Sequence, residues 1–131
     1  MSKNLYSRVL VIDDSRMDNM LIRMILNTIN FSDEVVCYES PMDAIKYLNE
    51  TNSAGEQYPQ VIFLDINMPI INGFQLLDRI IKAEHAGFKE CKVYMLSSSD
   101  EAEDIRKASL YPNIVRYLQK PLDKEDLKEG H

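Results

Sequence analysis

"VIFLDINMP" (residues 61–69) decides how this chain is read. Four large apolar residues, Val61, Ile62, Phe63 and Leu64, run straight into a carboxylate at Asp65, and Asn67, Met68 and Pro69 then turn the chain. Continuous rather than alternating hydrophobicity marks a strand buried on both faces, as in a parallel sheet covered by helices. A charge midway along such a strand would be desolvated without compensation. At the last position the side chain reaches the loop layer beyond the sheet edge, where water and ligands have access, so Asp65 marks a site.

The same construction recurs on either side. "RVLVID" (8–13) ends on Asp13 and is followed by Asp14, "KVYMLS" (92–97) ends on Ser97, and "NIVRYL" (113–118) leads to Lys120; "EVVCY" (34–38) completes a set of five strands. Helical periodicity fills the intervals, which is the pattern of β-α-β units and an α/β fold. The first helix follows Ser15 as N-cap, with Asp18 three residues on, and repeats Met17, Met20, Leu21, Met24, Ile25 and Thr28; the methionines are expected in the core. The second opens at Ser40 and Pro41, faces inward with Ala44, Ile45 and Leu48, and is expected to stop near Asn49. A third spans about residues 73–84 with Phe74, Leu77, Ile80 and Ile81 inward. The fourth, in "SDEAEDIRKASL" (99–110) behind Ser99 as cap, has acids first and Arg106-Lys107 late, but only Ala102, Ile105 and Ala108 as an apolar stripe. A short fifth follows Pro121 with Leu122 and Leu127, and Gly130-His131 reads as an appended tail.

Composition bounds the function. With 131 residues and 45% hydrophobic content the chain builds one core, so a single domain over 1–131 is expected. Fifteen basic against 21 acidic residues give a formal charge of −6, a poor match to a nucleic-acid backbone. No run approaches the roughly 18 apolar residues of a membrane span and the N-terminus lacks a secretory apolar core, so a cytoplasmic protein is expected. Cys37 and Cys91 stand apart without C-x-x-C spacing and read as buried free thiols; His85 reads as a surface residue.

The strand ends carry the chemistry. Asp13, Asp14 and Asp65 converge on one sheet edge and repel one another, a cost that a bound cation relieves. Oxygen-only ligands and few of them suit Mg²⁺, with Mn²⁺ able to substitute. Lys120 adds a positive charge, Ser97 a hydroxyl, and the turn after Asp65 free N–H groups, which together fit a phosphoryl group. A carboxylate can accept phosphoryl as a nucleophile, and Asp65 is the candidate. Singly, each residue has a plainer reading: Asp14 as a loop acid, Asp65 as a turn former, Lys120 as a solvated charge, Tyr117 as core. Their convergence favours the site.

"VIDDS" (11–15), "DINMPIINGF" (65–74), "MLSSS" (95–99) and "YLQKP" (117–121), in that order, resemble the receiver domain of two-component response regulators. The resemblance covers nearly the whole chain. It implies a flavodoxin-like, doubly wound five-stranded parallel sheet of order 2-1-3-4-5 with five helices, and a phosphoryl group passed to Asp65 from a histidine kinase or histidine phosphotransfer protein. It further implies that Asp13, Asp14, Asp65 and the carbonyl of Asn67 hold the metal. Ser97 and Lys120 would hold phosphoryl oxygens, Tyr117 would turn inward on activation, and the Lys120-Pro121 bond would be cis. Two departures are local: Ser97 stands where the family often has Thr, and "SLYPNIVRY" (109–117) lacks a Gly before the aromatic.

Output is expected through the face of the fourth helix, fifth strand and fifth helix, carrying Ile105, Lys107, Tyr111 and Arg116, toward a protein partner or a second copy. Two other classes compete. A Mg²⁺-dependent phosphohydrolase also forms an aspartyl phosphate, but its general acid would stand two residues after the nucleophile, where Asn67 is found. A receiver-like module acting without phosphorylation would be expected to lack one of the acids, the hydroxyl or the lysine, and none is missing.

Overall fold

The computed structural model describes residues 4–98 and 101–128. Five parallel strands, β1 (Tyr6–Ile12), β2 (Ser32–Tyr38), β3 (Val61–Asp65), β4 (Lys92–Ser97) and β5 (Ile114–Gln119), form one sheet of order β2-β1-β3-β4-β5. The helices are α1 (Arg16–Thr28), α2 (Pro41–Ala54), α3 (Gly73–Lys82), α4 (Ala102–Ala108) and α5 (Glu125–Lys128). This is the flavodoxin-like arrangement. β3 is buried at every position because it lies between β1 and β4 and is covered on both faces.

Two apolar layers sandwich the sheet. One joins Leu10, Ile12, Ile62, Leu64, Val93 and Met95 to α2 and α3 through Ala44, Leu48, Phe74, Leu77 and Ile80. The other joins Val9, Val11, Val61, Phe63, Tyr94 and Leu96 to Ile22, Leu26 and Leu127. The register Val11↔Phe63 and Phe63↔Tyr94 puts large side chains side by side, and Phe31 meets the rings of Phe63 and Tyr94 edge-on.

α1 is rotated from its expected orientation. Met17, Met20 and Met24 are 70%, 62% and 60% exposed, while Asn19, Ile22 and Leu26 face the sheet. The helix carries two apolar stripes at equally regular spacing. Ile22 and Leu26 take the core, Leu21 and Thr28 of the expected stripe are exposed with the methionines, and the Asn19 amide donates to the Asp13 carbonyl at 2.9 Å from the buried side.

α2 runs past Asn49 to Ala54, where Gly55 at φ 68° supplies the left-handed cap and Thr51 is buried. The polar "ETNSA" therefore continues the helix instead of connecting it. α3 ends at Lys82, with Glu84 at φ 56° breaking it and Ile81 exposed rather than inward. A 3-10 turn over Ala86–Glu90, which has no apolar repeat to announce it, follows. On α4 only Ala108 is buried; Ala102 and Ile105 are exposed. Ser99, expected as its cap, and Gly130-His131 lie outside the described residues. The α4 N-cap is Glu101, with no side-chain cap bond. In the α5 region Leu127 is fully buried, whereas Leu122 precedes the helix and is half-buried.

His85 is buried, not on the surface. Its Nδ1 lies 3.0 Å from the Tyr58 hydroxyl and its Nε2 2.9 Å from Asn49 Oδ1, so the ring ties the body of α2 to the chain before β3. Cys91 is buried and Cys37 half-buried, and both are free thiols. No described helix is long and apolar enough to cross a membrane.

Candidate functional site

The carboxyl ends of β1, β3, β4 and β5 border a cavity of about 430 Å³. Asp13, one residue past β1, is fully buried; its N–H donates to the Tyr38 carbonyl at 3.1 Å, and its Oδ1 accepts from the Ser15 N–H at 2.9 Å. Asp65 ends β3 and is 3% exposed. Its position is set by the tight start of α3. The Gly73 N–H donates to the Ile66 carbonyl at 2.8 Å, and a Cβ on Gly73 would fall 2.6 Å from the Asp65 carbonyl oxygen. The glycine eight residues after Asp65 is thus required by close approach of helix to strand. Asp14 is exposed at the cavity rim.

Asp13, Asp14 and Asp65 each present a carboxylate oxygen within 4.8 Å of the others. Lys120 reaches across from the residue after β5: its Nζ lies 2.7 Å from Asp13 Oδ2, 2.9 Å from Asp18 Oδ2 and 3.2 Å from Asp65 Oδ1. The Lys120 N–H donates to the Ser97 carbonyl at 2.7 Å, and the Lys120-Pro121 peptide is cis. This pairing sets the direction of the side chain across the edge.

Burial and repulsion show in the protonation of the acids. Burial, then the charge of Asp13, push Asp65 up to about 7 against the pull of Lys120. Burial also raises Asp13, with Lys120 opposing. For Lys120 itself burial disfavours the charge, but hydrogen bonds to Asp13 and Asp18 outweigh it and hold the ammonium above the usual lysine range. The site is over-supplied with negative charge, and its donors are all oxygens. That is the chemistry a hard divalent cation satisfies, and Asp13, Asp14 and Asp65 could hold one.

Of the residues singled out from the sequence, Asp13, Asp14, Asp65, Asn67 and Lys120 line this one cavity. Ser97 ends β4 fully buried, and it is Ser98 that lines the wall beside it. Tyr117 is half-buried, paired in register with Met95 and packed on the α3 side of the core. On the expected output face, Lys107 sits 4.9 Å above the Phe74 ring and Tyr111 donates to Asp78 Oδ1 at 2.8 Å, so both contact α3. Asp18 was legible only as a capping partner. Its N–H is indeed held by Ser15 Oγ at 3.2 Å, but its carboxylate turns to Lys120. A partner 102 positions along the chain leaves no local signal of that second role in the sequence.

The sequence pattern of the response regulator receiver domain matches residues 9–130. The chain is 32% identical to the protein PilG of Pseudomonas aeruginosa, over 92% of this chain and 81% of that protein. It is 30% identical to a probable methanogenesis regulatory protein, FilR2, of Methanothrix harundinacea, over 92% and 76%. The crystal structure of a two-component response regulator from Cytophaga hutchinsonii superimposes with a TM-score of 0.87 at 34% identity, covering 95% of this chain and 92% of that one. The acidic edge, the lysine that spans it and these likenesses have one meaning: the chain belongs to the response regulator receiver domain family.

Proposed function

We propose that this domain is switched by phosphorylation of Asp65 from the phosphohistidine of a histidine kinase or phosphotransfer protein. A carboxylate oxygen of Asp65 forms the new bond to phosphorus as the P–N bond of the donor breaks, and the leaving imidazole keeps the electron pair. Asp13, Asp14, Asp65 and the main-chain carbonyl of Asn67 would hold Mg²⁺, with Mn²⁺ able to substitute. When bound, the ion neutralises charge on the phosphoryl oxygens. Lys120 supplies a fixed positive charge to the same oxygens, and Ser97 a hydroxyl donor. The observation that carries this reading is the set of three carboxylates within 4.8 Å, two of which, Asp13 and Asp65, share the ammonium of one lysine.

Asn67, whose amide cannot act as an acid, argues against turnover of phosphomonoesters, and the completeness of the set argues against an inert module. A signal would leave through α4, β5 and α5, since Tyr117 of β5 packs against the apolar cluster that holds Ala108 of α4. A new charge-assisted bond from Ser97 to the phosphoryl group, worth about 1.5–3 kcal/mol, is enough to bias a two-state element. α4 suits such an element because it buries only Ala108 among its seven residues. The receiving surface is a downstream protein or a second copy. Acetyl phosphate with Mg²⁺ tests the first step: intact mass should gain one phosphoryl group. No gain with either Mg²⁺ or Mn²⁺ present would contradict it.

A further inference from the structure

We propose that Asp18 is a positioning residue for phosphoryl transfer: its carboxylate holds the Lys120 ammonium on the α1 side of the cavity and thereby restrains the reaction at Asp65. The inference rests on the reading of Asp65 as phosphoacceptor. An ammonium has three N–H donors. Those of Lys120 face Asp13 at 2.7 Å, Asp18 at 2.9 Å and Asp65 at 3.2 Å, so a phosphoryl oxygen can be served only when one of these contacts is given up.

The three partners have unequal parts in the transfer. Asp13 and Asp65 belong to the carboxylate triplet, and Asp65 replaces its own charge with the phosphoryl group. Asp18 belongs to neither role. It stands in the first turn of α1, where Ser15 Oγ accepts its N–H, and the Ser15 N–H is in turn held by Asp13 Oδ1. That backbone arrangement presents Asp13 and Asp18 to the same ammonium from one side. Asp18 also lines the cavity, so it adds a further negative charge where a dianionic phosphodonor must enter.

Removing that charge while keeping the shape should speed transfer. Asp18 is about one-third exposed, at 35% of its side chain, which confines the effect to the range of a partly solvated ion pair, about two- to fivefold.

The test compares wild type, Asp18→Asn and Asp18→Glu with acetyl phosphate at saturating Mg²⁺. Asp65 oxygen bonds to phosphorus as acetate leaves with the electron pair, and intact mass follows the rate. Beryllofluoride affinity, read without any turnover, is the second measurement, and each variant's melting temperature checks folding. Asp18→Asn is expected to gain phosphoryl two- to fivefold faster and to bind beryllofluoride tighter by a similar factor, with Asp18→Glu returning toward wild type. Equal rates and affinities in all three, or a slower Asp18→Asn with weaker beryllofluoride binding, would overturn the proposal. Wild type that gains no phosphoryl group at all would instead overturn the reading of Asp65.

Discussion

Lys120 Nζ and Asp65 Oδ1 are 3.2 Å apart, a longer contact than the 2.7 Å from the same nitrogen to Asp13. The ammonium is thus pulled toward Asp13, and Asp65 is left as the less compensated of the two buried acids. Burial and then the charge of Asp13 push Asp65 up to about 7, and the longer contact to Lys120 opposes them only in part.

The domain carries that repulsion as a loss of stability. Because the folded-state pKa of Asp65 lies above the ordinary carboxylate value of about 3.9, its contribution is most favourable below that value and is lost as pH rises toward about 7. Asp65→Asn should therefore stabilise the metal-free domain at pH 8 by about 1–3 kcal/mol, the order of one uncompensated buried charge. The gain should shrink toward pH 5. Urea denaturation at the two pH values measures it, and a variant no more stable than wild type at pH 8 would show that Lys120 compensates Asp65 fully.

His85 acts in the opposite direction. Burial lowers its pKa, so its stabilising effect is present above the ordinary histidine value of about 6.5 and is lost as pH falls below it. With Nε2–H donating to Asn49 and Nδ1 accepting from Tyr58, the neutral ring gives the buried Tyr58 O–H an acceptor that protonation of Nδ1 removes. His85→Ala should cost about 1–3 kcal/mol at pH 8, leaving a buried tyrosine hydroxyl unpaired, and less at pH 5. A cost independent of pH would assign His85 to packing alone.

Ile70, in the turn after Asp65, is 96% exposed at φ 74°, and the Ile71 N–H donates to the Pro69 carbonyl at 2.8 Å across it. A β-branched residue is strained there and buries nothing in return. Ile70→Asn should raise stability by about 1 kcal/mol in thermal melts. A loss would mean the isoleucine makes contacts its exposure hides.

Tyr117 tests the path out of the site. Beryllofluoride with Mg²⁺ should change amide exchange in α4 and β5 of the wild type. In Tyr117→Ala those changes should be lost while the loops around Asp13 and Asp65 still respond. Equal responses in α4 and β5 would place the output elsewhere.

Much of this was legible because parallel strands buried on both faces write themselves as unbroken apolar runs. β3 and β4 have the bounds their runs suggest, and the polar residues at their ends name the site edge. What resisted reading depends on choices that periodicity leaves open. The α1 stripe of Met17, Met20 and Met24 is as regular as that of Ile22 and Leu26, and the choice between them rests on long-range contacts, the packing of Ile22 and Leu26 and the bond from Asn19 to the Asp13 carbonyl. His85 looked solvent-facing because its partners, Asn49 and Tyr58, are distant in sequence. Asp18 has a sufficient local role as part of a helix start, which hid its pairing with Lys120.

The central claim is that Asp65 is the phosphoacceptor, and borohydride trapping tests it most directly. Reduction of an aspartyl phosphate converts the residue to homoserine, which peptide mass mapping locates after treatment with acetyl phosphate and Mg²⁺. Homoserine is expected at position 65 in wild type and at no position in Asp65→Asn. Phosphoryl label on a serine or histidine, or homoserine at Asp13, Asp14 or Asp18 in place of Asp65, would contradict the account.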